Sequence, residues 1–358
     1  MKIHLIACAL CLLSSRLSAQ SRCAATLVPG SNGMVYHAGH MEALPGFEQA
    51  SAYFYGETHN ADFEPAWKFH FIRHLHERYE VRDVFMEIGH AAAFLYNQYL
   101  LTGDTSLIKG LVYTEFYYRE FWQDLYTYNL GLPEQERLII HGIDFERPEA
   151  IRVLTMLRGQ AVVPAVLEPV FTQMEQGELL PDFSRAFREL WAQIRMTFME
   201  HDDAVKALYK GNYDIVQRII RNDCPVTARA IPRNAAMFAS LSAALKVNGI
   251  RRFAGFFGQA HTTYSSRSSL PNQLRKMPGF TGKVLTFGTV YKDAYAQGGR
   301  NKLISYTGMF RKSLLRVLYH RFMVEGCRAV VVPAADIGHK RMSATADHIL
   351  FGRDVMVR

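Results

Sequence analysis

The chain has 358 residues, 49% of them hydrophobic and 21% charged, a balance that excludes wholesale disorder and allows a large core. Its net charge of +8 is spread along the chain rather than gathered in blocks. No nucleic-acid-binding motif is present, so nucleic acid is not an expected partner.

The N-terminus predicts export. Lys2 supplies a short positive region, and Leu5 to Leu13 form an apolar run too short to span a bilayer. Leu17-Ser18-Ala19 then precedes Gln20 in the manner of a signal-peptidase site. Residues 1–19 are read as a signal peptide, leaving a periplasmic or secreted chain that begins near Gln20. Loss of Lys2 and Arg16 brings the charge from +8 to +6. A lipoprotein anchor at Cys8 is the rival reading, but almost no positive or apolar region precedes it. No later segment is long and apolar enough for a membrane helix. Cys8 and Cys11 leave with the signal, so Cys23, Cys224 and Cys327 allow at most one disulfide, whose pairing is open.

From about residue 50, short β-rich runs alternate with helical patterns, which predicts an α/β fold with a mostly parallel central sheet flanked by helices. The first strand is Ala52-Tyr53-Phe54-Tyr55, ended by Gly56. Trp67, Phe71, Ile72, Leu75 and Tyr79 mark the buried stripe of a helix over 64–79. Val84-Phe85-Met86 forms a strand that delivers Glu87, and helices follow near 91–101 and 115–129. Residues 138–143 form a strand ending at Asp144. From 159 to 230 strand-like runs vanish, and Phe187, Leu190, Trp191, Ile194 and Phe198 form a helical stripe. This stretch reads as an all-helical insert, either a cover for the sheet or a lid, between two parts of a catalytic domain, 20–158 and 231–358. A helix containing Arg233 and Met237 then leads to a strand, Phe253 to Phe257, followed by Gly258-Gln259-Ala260-His261. Residues 284–288 and 329–332 are further strands; sheet order stays open.

In open α/β sheets, reactive groups gather beyond the carboxyl ends of the strands. The predicted strand ends present Glu57 and His59, then Glu87, then Asp144, then His261. A histidine oriented by a carboxylate can deprotonate water near neutral pH. Glu57 or Glu87 could fill the orienting role. The structural alternative is a polar turn in which Thr58 or Asn60 caps the next helix.

These residues carry a resemblance. Gly56-Glu57-Thr58-His59, with Glu64 downstream, resembles the Gly-Glu-x-x-His signature of the erythromycin esterase family. Phe85-Met86-Glu87 with 97–104 resembles its second block, and Gly142-Ile143-Asp144 its Gly-x-Asp block. Arg233-Asn234-Ala235-Ala236-Met237 and Gly258-Gln259-Ala260-His261 are similar to two later blocks, in the family's order. The resemblance implies a hydrolase for an ester or related acyl bond of a small molecule. His59 would be general base, with Glu57, Glu87 and His261 as catalytic partners, and Asp144, Arg233 and Glu64 near the substrate. No covalent intermediate is implied, and no Gly-x-Ser-x-Gly elbow is present. Asn60, Asn234 and Gln259 depart from the family pattern, which leaves the substrate open.

No metal or cofactor is expected on this reading. The alternative is a divalent-metal hydrolase or peptidase, because Gly56-x-x-His59 also resembles the TIKI/TraB motif; Glu57, His59, Glu87 and His261 would then be ligands. A ChaN-like haem-binding protein is a third reading. His70 and His74 have chelating spacing but no adjacent glutamate, and read as a solvated helix face. His90 reads as a helix cap, Lys68 and Arg73 as surface charges, and the aromatic run around Tyr113–Trp122 as packing. His339 and His348 fit no ligand spacing.

Overall fold

The computed structural model describes residues 23–27, 34–59, 64–115, 119–177, 180–182, 184–226, 229–296, 302–306, 312–323, 327–337 and 346–353. The signal peptide expected over 1–19, Asn60 and His339 lie outside them. The strands are β1 (Cys23–Leu27), β2 (Met34–Tyr36), β3 (Ala52–Glu57), β4 (Asp83–Met86), β5 (Ile139–Gly142), β6 (Phe253–Gly258), β7 (Val284–Ala296), β8 (Lys302–Tyr306), β9 (Cys327–Pro333) and β10 (His348–Arg353). The helices of eight residues or more begin with α1 (Glu64–Tyr79), α2 (His90–Thr102), α3 (Arg119–Leu130), α4 (Glu149–Arg158) and α5 (Glu168–Gly177). They continue with α6 (Arg185–Glu200), α7 (Asp202–Tyr209), α8 (Tyr213–Ile220), α9 (Ala230–Val247) and α10 (Lys312–Phe322). The fold is α/β with a mixed, mostly parallel sheet. No helix among the described residues is long and apolar enough to cross a membrane.

Two compact units divide the chain. One comprises 1–82, 113–127 and 251–358; the other comprises 83–112 and 128–250. In the first unit the strands run β2-β1-β9-β10-β7-β3-β6, with β8 added to β7. The centre, β10-β7-β3-β6, is parallel, and β9, β1 and β2 form an antiparallel flank. Every residue of β3 and of β6 is buried. Burial on both faces accounts for their unbroken apolar character, unlike the alternation of a half-exposed strand. Register sets the ends: Glu57 lies beside Gly258, and Gly56 beside Gly288 of β7.

Helix α1 spans the expected residues because Trp67, Phe71, Ile72 and Leu75 recur on one face and are all buried. Phe71 lies within ring-contact distance of Tyr55, Phe256 and Phe287, one from each of three adjacent strands. Each such side chain contributes about 1.5–3 kcal/mol on burial. The stripe also contains Lys68, fully buried. This corrects the expectation of a surface charge. Arg73, by contrast, is about half exposed and pairs with Glu77.

In the second unit β4 and β5 pair in parallel, Met86 beside Gly142. The Asn97 side chain of α2 takes both backbone groups of Ile140, donating to its carbonyl at 2.8 Å and accepting from its N–H at 2.9 Å. It thus stands in for a neighbouring strand. Gly142 has no room for a side chain: a Cβ there would sit 2.1 Å from the Gly89 carbonyl oxygen. In α6 the Phe187, Trp191, Ile194 and Phe198 stripe is buried as its spacing predicts.

A disulfide joins Cys23 in β1 to Cys327 in β9, 304 residues apart, and Cys224 is a buried free thiol. A bridge closing so long a loop removes much unfolded-state entropy. Cys23→Ser with Cys327→Ser is expected to lower unfolding free energy by about 2–5 kcal/mol. Denaturation of wild type with and without reductant should reproduce the loss.

Candidate functional site

In the first unit the site begins where β3 leaves the sheet. Gly56 is not a flexible hinge, because its backbone is ordinary extended strand. Glycine is needed for space: a Cβ would lie 2.6 Å from Thr262 Oγ1 and 3.1 Å from the Phe287 carbonyl oxygen. The next residue, Glu57, is 2% exposed. Its Oε1 lies 2.5 Å from Lys68 Nζ and its Oε2 lies 3.3 Å from His59 Nδ1. The His59 side chain is 46% exposed, so a solvent-reachable imidazole rests on a buried carboxylate.

Burial by itself works to raise the Glu57 pKa, but Lys68 and then His59 outweigh it and hold the carboxyl below its usual value. Glu64 fares differently. It is fully buried, and burial pushes it up to about 7, with Lys68 opposing and Glu57 adding to the rise. Its Oε1 accepts the Thr58 N–H at 3.0 Å and the Tyr291 hydroxyl at 2.9 Å. Tyr291 in turn meets the Tyr55 hydroxyl at 2.9 Å. Thr58 therefore does not cap α1; the first residue of α1 reaches back to hold Thr58.

A second set of bonds locks the same turn from the neighbouring strands. Gln259 Nε2 donates to Thr58 Oγ1 and Thr289 Oγ1, both at 2.9 Å, and Thr289 Oγ1 donates to the Gly56 carbonyl at 2.8 Å. Gln259 begins the short helical turn Gln259–Thr262 that follows β6 and carries His261, which is 4% exposed. Because β3 and β6 are adjacent and in register, Glu57, His59 and His261 leave the same end of one parallel pair.

The second unit holds the other expected residues. Glu87 follows β4, Asp144 follows β5, and the Asp144 N–H donates to the Ile88 carbonyl at 2.9 Å. Arg233 of α9 bridges the two acids: Nη2 lies 2.7 Å from Glu87 Oε1 and 2.5 Å from Asp144 Oδ2, and Nε is 3.1 Å from Asp144 Oδ1. Burial works against the Arg233 charge, but Asp144 and then Glu87 overturn it and keep the guanidinium protonated.

Glu146, not singled out from sequence, is buried beside this cluster. Its carboxylate accepts the N–H groups of His90 and Ala91 at the start of α2, and the Asn222 amide at 2.7 Å. Burial still pushes it up to about 8. His90 is the first residue of α2. Burial, then Arg218 and His141, push its imidazole down to about 4.

Two residues escaped the sequence reading, Lys68 and Glu146. The signal for Lys68 was its place in the stripe, four residues after Glu64 and three before Phe71. His70 stacks on Tyr36 at 4.4 Å, and His74 meets Glu42 at 3.3 Å, so the pair is engaged separately rather than chelating. Among the described residues, no group of three or more His, Cys, Asp or Glu side chains is arranged to hold a metal ion. Of the four alternative ligands, Glu57 is already paired with the Lys68 ammonium and Glu87 with the Arg233 guanidinium.

No protein-family model matches the chain, and no curated protein matches it either. Solved structures do. A histidine-to-asparagine mutant of the erythromycin esterase EreC in its open conformation aligns with a TM-score of 0.60 at 12% identity, covering 88% of this chain and 94% of that one. A succinoglycan biosynthesis protein aligns with a TM-score of 0.63 at 12% identity, covering 95% and 96%. A Bacillus cereus protein aligns with a TM-score of 0.59 at 11% identity, covering 95% and 97%. The fold is erythromycin esterase-like.

The raised Glu64 pKa has a sign that can be measured. Its folded value of about 7 exceeds the ordinary carboxyl value of 4.5, so the folded state keeps a proton that the unfolded state releases. Its contribution is whole below about pH 4.5 and is lost as pH rises through about 7. Relative to Glu64→Gln, wild type should therefore lose stability across that window, by roughly 3 kcal/mol at most. Urea denaturation of both proteins at a series of pH values checks it.

Proposed function

We propose that this chain is an exported hydrolase that cleaves an ester or related acyl bond of a small molecule by activating water at His59. One observation carries the reading: a solvent-reachable imidazole sits 3.3 Å from a buried carboxylate that a lysine keeps charged. The erythromycin esterase-like fold supports it.

In the proposed reaction, the His59 nitrogen that faces away from Glu57 takes a proton from water as its oxygen attacks the acyl carbon. Glu57 fixes the ring and stabilises the imidazolium that forms. Collapse of the tetrahedral intermediate expels the alcohol, which recovers the proton from His59. His261, from the adjacent strand end, is assigned to the developing oxyanion. Glu87 keeps its place in the catalytic set, and Asp144 and Arg233 their place as substrate-binding residues, through the family resemblance. Glu64 is buried, so we assign it to supporting the Glu57–His59 turn rather than touching substrate. The Cys23–Cys327 bridge supports export, because such bonds persist in oxidising compartments.

The test is a panel of esters, lactones and peptides offered to the purified chain with and without EDTA, beside His59→Ala and His261→Ala. The proposal expects hydrolysis of an ester that survives EDTA. It also expects His59→Ala to lower kcat/KM by a factor of about a hundred or more, with an unchanged circular dichroism spectrum. A stoichiometric metal lost together with activity would overturn it.

A further inference from the structure

Along the second unit, α2, β5, α8 and α9 enclose a half-open cleft of about 620 Å³. That volume lies within the range of roughly 300–1,000 Å³ usual for small-molecule sites. None of the residues assigned to hydrolysis lines it. Its apolar part comes from Phe94 on α2 and from Ala243, Ala244 and Val247 on α9.

The polar part is unbalanced. Arg218 and Arg221, both exposed, line the cleft at α8 and just beyond it. Arg218 Nε donates to the Asp214 backbone carbonyl at 3.4 Å, and Arg221 Nε to the Gln217 side chain at 2.5 Å. Neither forms an ion pair with a carboxylate among the described residues. Asp214 is the one acid in the lining, and His141 is already tied to Asp83 at 2.7 Å. His90, neutral at physiological pH, adds no charge to the lining, which leaves the cation role to the two arginines. Two guanidinium groups with spare donors beside a hydrocarbon surface match an anion that carries an apolar body. A guanidinium fork fits a carboxylate in particular.

We propose that this cleft is a binding site for a small amphipathic carboxylate. Arg218 and Arg221 hold the headgroup, and the hydrocarbon body lies against Phe94, Ala243, Ala244 and Val247. Asn222 connects the site inward: it lines the cleft and donates to the Asp144 carbonyl and to Glu146, each at 2.7 Å. An occupant therefore lies one side chain away from the cluster around Arg233.

Isothermal titration calorimetry of the full chain with octanoate tests the proposal, with 1-octanol as the neutral control. The expected result is one saturable octanoate site per chain and at least tenfold weaker binding of 1-octanol. The Arg218→Ala/Arg221→Ala double variant should lose at least tenfold in affinity, and Ala243→Trp should block the site. All three substituted positions are exposed, so melting temperatures should stay near that of wild type. No saturable binding by wild type, equal binding of octanol, or undiminished octanoate binding by both variants would each overturn it.

Discussion

The structure of the first unit turns on the ion pair between Glu57 and Lys68. Strand β3 is flanked by β6 and β7 and covered by α1, so a carboxylate at its end has little water to solvate it. Leaving a buried charge unmatched costs several kcal/mol, and α1 supplies the match by placing a lysine in its own apolar stripe. That placement fixes the helix against the strand end and leaves Glu57 ionised beneath His59. It also decides the state of Glu64. One ammonium faces two acids, Glu64 four residues before it on its helix and Glu57 at the strand end, and Glu64 is the one driven towards the neutral form.

The second unit solves the same problem with different chemistry. Glu87 and Asp144 share one guanidinium, whose planar fork of donors serves both carboxylates in a fixed geometry. Among the described residues, Glu146 is matched by no such cation. It relies on two backbone N–H groups and an amide, and its pKa rises accordingly. The acids at the strand ends thus differ in charge because their partners differ.

Periodicity made much of this legible. The α1 stripe located its helix to the residue, and apolar runs located β3, β4, β6 and β9, since burial on both faces leaves an unbroken apolar record. The polar positions after those runs made Glu57, His59, Glu87, Asp144 and His261 candidates before any geometry was known. What the pattern missed depends largely on distant partners. β1 pairs with β9 and β10 with β7, strands far away in sequence, and the Cys23–Cys327 bridge is equally remote, while β2 and β8 are short strands added to their chain neighbours. Lys68 was misread because a cation in an apolar stripe has meaning only once Glu57 is seen beneath it. Gly56 is visible in the sequence only as the end of a strand, whereas contact with Thr262 and Phe287 is what demands a glycine there.

Chemical rescue tests the central claim most directly. In a His59→Gly variant, added imidazole should restore ester hydrolysis in proportion to its free-base concentration, and should do so poorly once Glu57 is also changed to Gln. A His59→Gly protein that hydrolyses ester as fast as wild type without imidazole would contradict the account.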